Sequence, residues 1–232
     1  MQYSFLKDVS FDRSLPLTVQ VYETLLEAIV NQKLPPGVAI NKEGVAKVLG
    51  VSRTPVSEAI AKLIDDRLVE VFPQRGTYVT KIRLADVKES AFIRQALEVA
   101  TARYVAEHRS EEMLKALTKN LRYQKICIED QDLASFYQLD EEFHQLLCEF
   151  TGFSRLKRVI EGSYAQLARV RKLLLPSPGR PEETHNEHKA ILTAIRNSDG
   201  DAAAKAMKIH VGKVVSLVAE INQQQPELFA DD

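Results

Sequence analysis

Apolar residues change their spacing along this 232-residue chain, and the changes divide it. After a polar lead-in over residues 1–15, Val19, Tyr22, Leu25, Leu26 and Ile29 recur at steps of three and four, as on a helix with one buried face. Lys33-Leu-Pro-Pro-Gly37 ends that helix. A short helix over Lys42–Leu49 stops at Gly50. Ser52 or Thr54 can cap a third, running to about Asp66 with Pro55 in its first turn. Two β-rich runs, Leu68–Phe72 and Thr77–Lys81, then flank the turn Pro73-Gln-Arg-Gly76 and read as a hairpin. Helix, helix, tight turn, helix and hairpin make a winged helix-turn-helix.

From Ile82 the period becomes helical throughout. Six helices are expected at about 84–108, 110–130, 132–150, 153–174, 182–198 and 200–223, with breaks at Thr151-Gly152 and Pro176-Ser-Pro-Gly179 and with Asp199-Gly200 leading into the last. Short connections between long amphipathic helices imply an all-α bundle. The fold class is therefore mainly α: an N-terminal winged helix-turn-helix over 1–82 and a C-terminal all-α helical bundle over 83–232. The polar tail from Gln223 is expected to fray.

Composition adds exclusions. Hydrophobic residues at 45% and charged ones at 27% are ordinary for a globular protein. No apolar run reaches the roughly 18 residues of a membrane span. No basic stretch followed by an apolar core opens the chain, so neither a membrane nor a secretion signal is expected. Two lone thiols, Cys127 and Cys148, fit a reducing, cytoplasmic setting. Net charge is −1, and residues 1–82 hold 10 Lys and Arg against 9 Asp and Glu. Any nucleic-acid binding must rest on where charges sit rather than on how many there are.

On the third helix Val56, Ala59, Ile60 and Leu63 share one side. The other presents Thr54, Ser57, Glu58 and Ala61, with Arg53 at its start. Small and polar side chains let such a helix enter the major groove of double-stranded operator DNA, where Arg53 can reach a guanine edge or a phosphate. The hairpin tip, Gln74-Arg75-Gly76, suits a backbone or minor-groove contact. An amphipathic helix with a solvated face reads the same way.

In the second domain Asp140 and His144 lie four apart on an apolar face with Phe136, Phe143 and Leu147. His188 shares a stripe with Ile191, Leu192 and Ile195, and His210 one with Ala203, Val214 and Ile221. Buried singly and unpaired, each group would cost roughly 1–3 kcal/mol. One shared divalent cation removes that cost for all four, and one carboxylate with three imidazoles suits zinc, or nickel or another transition metal. Separate hydrogen-bonded core residues are the competing reading. His185 borders the stripe and His108 ends its helix, so neither is expected as a ligand. Arg94, in line with Ile93, Leu97, Thr101 and Tyr104, and Arg171, in line with Ile160, Tyr164 and Leu167, also fall on inner faces. They could clamp an anionic ligand beside the metal or form internal ion pairs, Arg94 with Glu98 for instance. A metal-dependent hydrolase or lyase is the alternative function, but Glu141 and Glu142 point some 100° and 200° away from Asp140.

Three segments, Leu34-Pro-Pro-Gly37, Gly50-Val-Ser-Arg-Thr-Pro-Val56 and Gly76-Thr-Tyr-Val79, resemble the DNA-binding domain of the GntR family of regulators over about residues 16–82. The resemblance implies DNA contacts by Arg53, Thr54 and Gly76. It departs at Ser57, where the family usually has an arginine, and at Glu43, where some members have one. Asp140-x-x-x-His144, His188, His210 and Ile93-Arg-Gln-Ala-Leu-Glu98 resemble the FCD ligand domain of the FadR-like subfamily over about 85–223. That resemblance implies a divalent metal on Asp140, His144, His188 and His210 that helps bind a small carboxylate, a sugar acid or hydroxy acid. The function expected is a repressor, most simply a homodimer, whose operator binding the effector controls.

Overall fold

The structure is a computed structural model. It describes the backbone of residues 3–174 and 176–230 and, except at 158 and 161–164, their side chains. The chain divides into two compact units. One runs to Asp86 and takes in the C-terminal segment from Gln224; the other is Val87–Gln223.

The first unit holds α1 (Leu17–Val30), α2 (Lys42–Leu49), α3 (Arg53–Asp65) and the antiparallel hairpin of β1 (Val69–Phe72) and β2 (Gly76–Val79). Register runs from Val69 opposite Val79 to Phe72 opposite Gly76. Asn41 caps α2 through its side-chain oxygen, which accepts from the Glu43 and Gly44 amides at 3.0 and 2.9 Å. Gly50, at φ +67°, closes that helix in the left-handed region and turns the chain into α3. Ser52 occupies the N-cap position of α3 without a side-chain hydrogen bond. The buried side of α1 is Val21, Leu25, Ala28 and Ile29, so the expected stripe was rotated: Val19 is 40% exposed. The lead-in is not loose either. Tyr3 and Leu6 are buried, and the Tyr3 hydroxyl accepts from the Asn41 amide at 2.8 Å.

The second unit is built from α4 (Leu84–Glu107), α5 (Glu111–Glu129), α6 (Leu133–Phe150), α7 (Leu156–Leu174), α8 (Arg180–Arg196) and α9 (Gly200–Gln224). Ser110 and Asp132 cap α5 and α6, each accepting an amide hydrogen bond three residues on. Its core joins Ala102 and Val105 of α4, Leu117 and Leu121 of α5, Phe143 and Leu147 of α6, Ile191 and Ile195 of α8, and Ala203, Met207 and Val211 of α9. On α4 Arg94 and Thr101 of the expected line are buried, together with Val87, Ala91, Glu98 and Val105, while Ile93, Leu97 and Tyr104 are only half-buried. Two buried charges on that helix are the first sign of a polar interior. The tail is a correction. Instead of fraying with the helical domain, Pro226–Leu228 form a 3-10 turn, and the segment belongs to the first unit.

Candidate functional site

Asp140, His144, His188 and His210 converge. All four are buried, and one donor atom from each lies within 4.8 Å of the others. His210 Nε2 is 3.0 Å from His144 Nε2 and 3.3 Å from His188 Nε2, and His188 Nε2 is 3.5 Å from Asp140 Oδ1. The reason is local: α6 sets Asp140 and His144 one turn apart, while α8 and α9 each point one histidine inward from an apolar stripe.

The other nitrogen of every imidazole is held from behind. His144 Nδ1 lies 2.7 Å from Glu98 Oε2, off the line of an ideal hydrogen bond. His188 Nδ1 meets Gln124 Oε1 at 3.0 Å, and His210 Nδ1 meets Glu187 Oε2 at 2.7 Å. At His188 and His210 the acceptors on Nδ1 place the ring proton there and leave Nε2 with a lone pair, the tautomer a metal requires. Burial, then the neighbouring imidazoles, push His188 well below the ordinary histidine range; burial and then His144 do the same to His210. Both are therefore neutral and able to ligate near pH 7. Nε2 lone pairs facing one another at hydrogen-bond distance, together with a carboxylate, fit a divalent cation. The donor set is a hard oxygen and three borderline nitrogens, as zinc takes.

Two arginines enter the same interior. Arg94 pairs with Glu98, and its Nη2 lies 3.0 Å from His144 Nε2. Burial opposes ionisation of Glu98, but Arg94 and then His144 overcome it and hold that carboxyl below the usual range. Arg171 pairs with Asp140 Oδ2, leaving Oδ1 towards the imidazoles. Both arginines thus make the internal ion pairs weighed from sequence while also lining a small enclosed cavity with Arg180, Thr184, His210 and Val214. The Tyr164 side chain, expected beside Arg171, lies outside the described residues. A wider, open basin elsewhere on the bundle is lined by Arg109, Lys115, Lys119, Arg122 and Arg196. The enclosed cavity is the stronger candidate because, among the described residues, buried metal-capable donors converge only there.

Sequence reasoning missed Gln124, Glu187 and Arg180, and it gave Glu98 as a partner for Arg94 but not for His144. Arg180 makes a two-pronged pair with Glu187 at 3.0 and 3.1 Å, which links it to His210. A polar residue on an otherwise apolar line, Gln124 below Leu117 and Leu121, was the available signal. His185 and His108 stay apart from the cluster. His108 is exposed, stacked on Tyr104 with 4.1 Å between ring centroids.

In the first unit Arg53, Thr54, Arg75 and Gly76 are exposed and Ser57 is half-buried, with Val56, Ala59, Ile60 and Leu63 turned into the core. The wing tip is tight. Gly76 has φ +118°, a conformation side chains resist, and the Tyr78 hydroxyl donates to the Arg75 carbonyl at 2.9 Å. Arg53 is engaged by Glu43, Nη1 to Oε1 at 3.1 Å. The acidic departure at position 43 therefore acts on the very arginine expected at the DNA.

A winged helix-turn-helix with an exposed recognition face, joined in one chain to a helical bundle holding a buried donor cluster, defines the class of DNA-binding regulators. The family model described as "Bacterial regulatory proteins, gntR family" matches residues 17–79, and that described as "FCD domain" matches residues 89–213. The HTH-type transcriptional repressor RspR of Escherichia coli K12 is 36% identical over 217 residues, 94% of this chain and 95% of RspR. The galactonate operon transcriptional repressor of the same strain is 25% identical over 229 residues, covering 90% of this chain and 99% of that protein. Among solved structures, E. coli McbR/YncC aligns with a TM-score of 0.75 at 21% identity, over 91% of this chain and 99% of that one. A GntR regulator from Rhodococcus sp. RHA1 aligns at 0.73 and 21%, over 88% and 97%. The two structural likenesses show the fold. This chain belongs to the GntR family, as a transcriptional regulator with an FCD domain, and it is not an enzyme. No helix among the described residues is long and apolar enough to cross a membrane.

Proposed function

We propose that this regulator is a cytoplasmic repressor whose hold on operator DNA is controlled by a small carboxylate bound beside a divalent metal, zinc in the first instance. The convergence of three Nε2 atoms and Asp140 Oδ1, each imidazole held by its own acceptor at Nδ1, carries the reading. The metal would sit on Asp140, His144, His188 and His210 and supply a Lewis-acidic point for one oxygen of the ligand.

Charge supports an anion. Arg94 pairs with Glu98, Arg171 with Asp140 and Arg180 with Glu183 and Glu187, so each arginine already has a carboxylate partner, and His188 and His210 are neutral. A divalent cation therefore adds uncompensated positive charge, which a carboxylate relieves. Arg94 and Arg171 line the cavity, and an anionic ligand there would compete with Glu98 and Asp140 for their guanidinium groups. The relative at 25% identity is named for a galactonate operon, which makes sugar acids the first compounds to try, with hydroxy acids next. In the first unit Arg53, Thr54, Ser57, Arg75 and Gly76 form the DNA-contacting set. A homodimer would place two such faces on a pseudo-palindromic operator.

The test begins with elemental analysis and zinc titration of chelator-stripped protein, with one ion per chain expected. Operator duplexes selected from a random pool on the zinc-loaded protein are then titrated with and without sugar and hydroxy acids. Effector coupling of about 1–3 kcal/mol would change affinity roughly 5–150-fold. Affinity indifferent to every acid, with metal in place, would overturn the sensing role.

A further inference from the structure

Beyond α9 the chain returns to the DNA-binding unit. After the 3-10 turn at Pro226–Leu228, Phe229 forms a parallel bridge with Ile82. The Ile82 amide donates to the Leu228 carbonyl and the Ala230 amide donates to the Ile82 carbonyl, both at 2.9 Å. Phe229 is 2% exposed and Ile82 1%. We propose that the DNA-binding unit carries a docking surface for the chain's own C-terminal segment, and that the docked segment is the second tie between that unit and the helices of the donor cluster.

Burying a large aromatic in this otherwise polar segment must outweigh the entropy of ordering it. Hydrogen bonds from both faces of one residue also fix the register. A slip by one position would turn Phe229 outward. The bridge lies where the two helices most concerned leave the bundle. Ile82 stands two residues before α4, which carries Arg94 and Glu98, and Phe229 five residues after α9, which carries His210. Arg94 Nη2 and His210 Nε2 each lie 3.0 Å from His144 Nε2. Whatever fixes α4 and α9 relative to one another at the cluster acts on two segments that the Ile82–Phe229 bridge holds together. A ligand shifts such a linked element only as far as it interacts differently with its two states. The docking needs no metal; only its response to occupancy rests on the metal reading above.

Amide hydrogen exchange on the full chain tests both parts. In chelator-stripped protein, the Ile82 and Ala230 amides are expected to exchange at least tenfold more slowly than in an unstructured peptide. Phe229→Ala is expected to remove that protection while leaving α5, α6 and α8 unchanged. Should that variant misfold, Ala230→Pro deletes one donor and keeps the aromatic plug. Adding zinc to the wild type is expected to change exchange at Ile82 and Ala230 severalfold. In Phe229→Ala, zinc stoichiometry should stay the same with no change at Ile82. Free-peptide exchange at Ala230 in the wild type overturns the docking. A bound zinc ion that leaves the bridge amides unmoved, or a zinc response at Ile82 that survives Phe229→Ala, overturns the tie. If the wild type takes up no zinc, the metal reading falls, and the docking stands or falls on the zinc-free rates.

Discussion

At the scale of single residues, the donor cluster is made as much by what stands behind the imidazoles as by the imidazoles themselves. Gln124 Oε1, 3.0 Å from His188 Nδ1, touches no point where a metal could sit, yet it fixes the tautomer and tilt of that ring. Gln124→Ala is expected to weaken zinc binding about 10–100-fold without unfolding the bundle, measured by competition with a chromophoric chelator. An unchanged affinity would mean that the contact is only packing. The Glu43–Arg53 pair makes the opposite point. With side chains 74% and 66% exposed, it is worth only roughly 0.2–1 kcal/mol, yet it partly neutralises the arginine proposed to contact DNA. Glu43→Gln should tighten DNA binding about 2–5-fold at low salt and less at high salt, as read by fluorescence anisotropy. In an Arg53→Ala background the gain should vanish; if it persists, Glu43 acts through general repulsion and Arg53 is not the mediator.

At the scale of elements, capping and periodicity carried most of the fold, and the positions where they failed share a cause. Asn41 holds two otherwise orphaned amides at the start of α2, the first helix of the turn that presents α3. Asn41→Ala is expected to destabilise the DNA-binding unit by about 1 kcal/mol and lower its melting transition by roughly 4–8 °C, seen by calorimetry. The helices of the bundle were legible because apolar spacing and the breaks at Gly152 and Gly179 are local signals. The four metal-capable residues were legible for a related reason: each sits on an apolar stripe of its own helix. Tyr3, Leu6 and Phe229 were not, since each is buried by residues distant in sequence and carries no periodicity of its own. Glu187 and the second contact of Glu98, to His144, escaped for the same reason. Their partners His144 and His210 come from other helices, and a glutamate on a helix ordinarily faces water. On α4 the apolar Ile93, Leu97 and Tyr104 drew the expected line to one side of Arg94 and Thr101, and the buried Glu98 on the other side carried no hydrophobic signal.

For the whole molecule, the decisive question is which unit a bound cation stabilises. Asp140 and His144 belong to α6, His188 to α8 and His210 to α9, so one ion would cross-link three helices of the second unit and none of the first. Without it, the fold holds three mutually facing imidazoles, two of which, His188 and His210, burial keeps neutral, and a carboxyl, Asp140, that burial pushes above its ordinary value. A cation reverses that discomfort, and binding only the folded state adds stability by mass action, about 4 kcal/mol at a free concentration a thousand times Kd. Calorimetry of chelator-stripped protein with added zinc should therefore raise the transition of the helical unit by on the order of 10 °C, the larger share of any shift falling there. His188→Ala should abolish the shift while leaving the melting of the winged unit in place. Should zinc raise both variants equally, the ion binds elsewhere. The buried cluster would then be a hydrogen-bonded network of Arg94, Glu98, Asp140 and Arg171 with the histidines, and an effector would have to be recognised by the arginines alone.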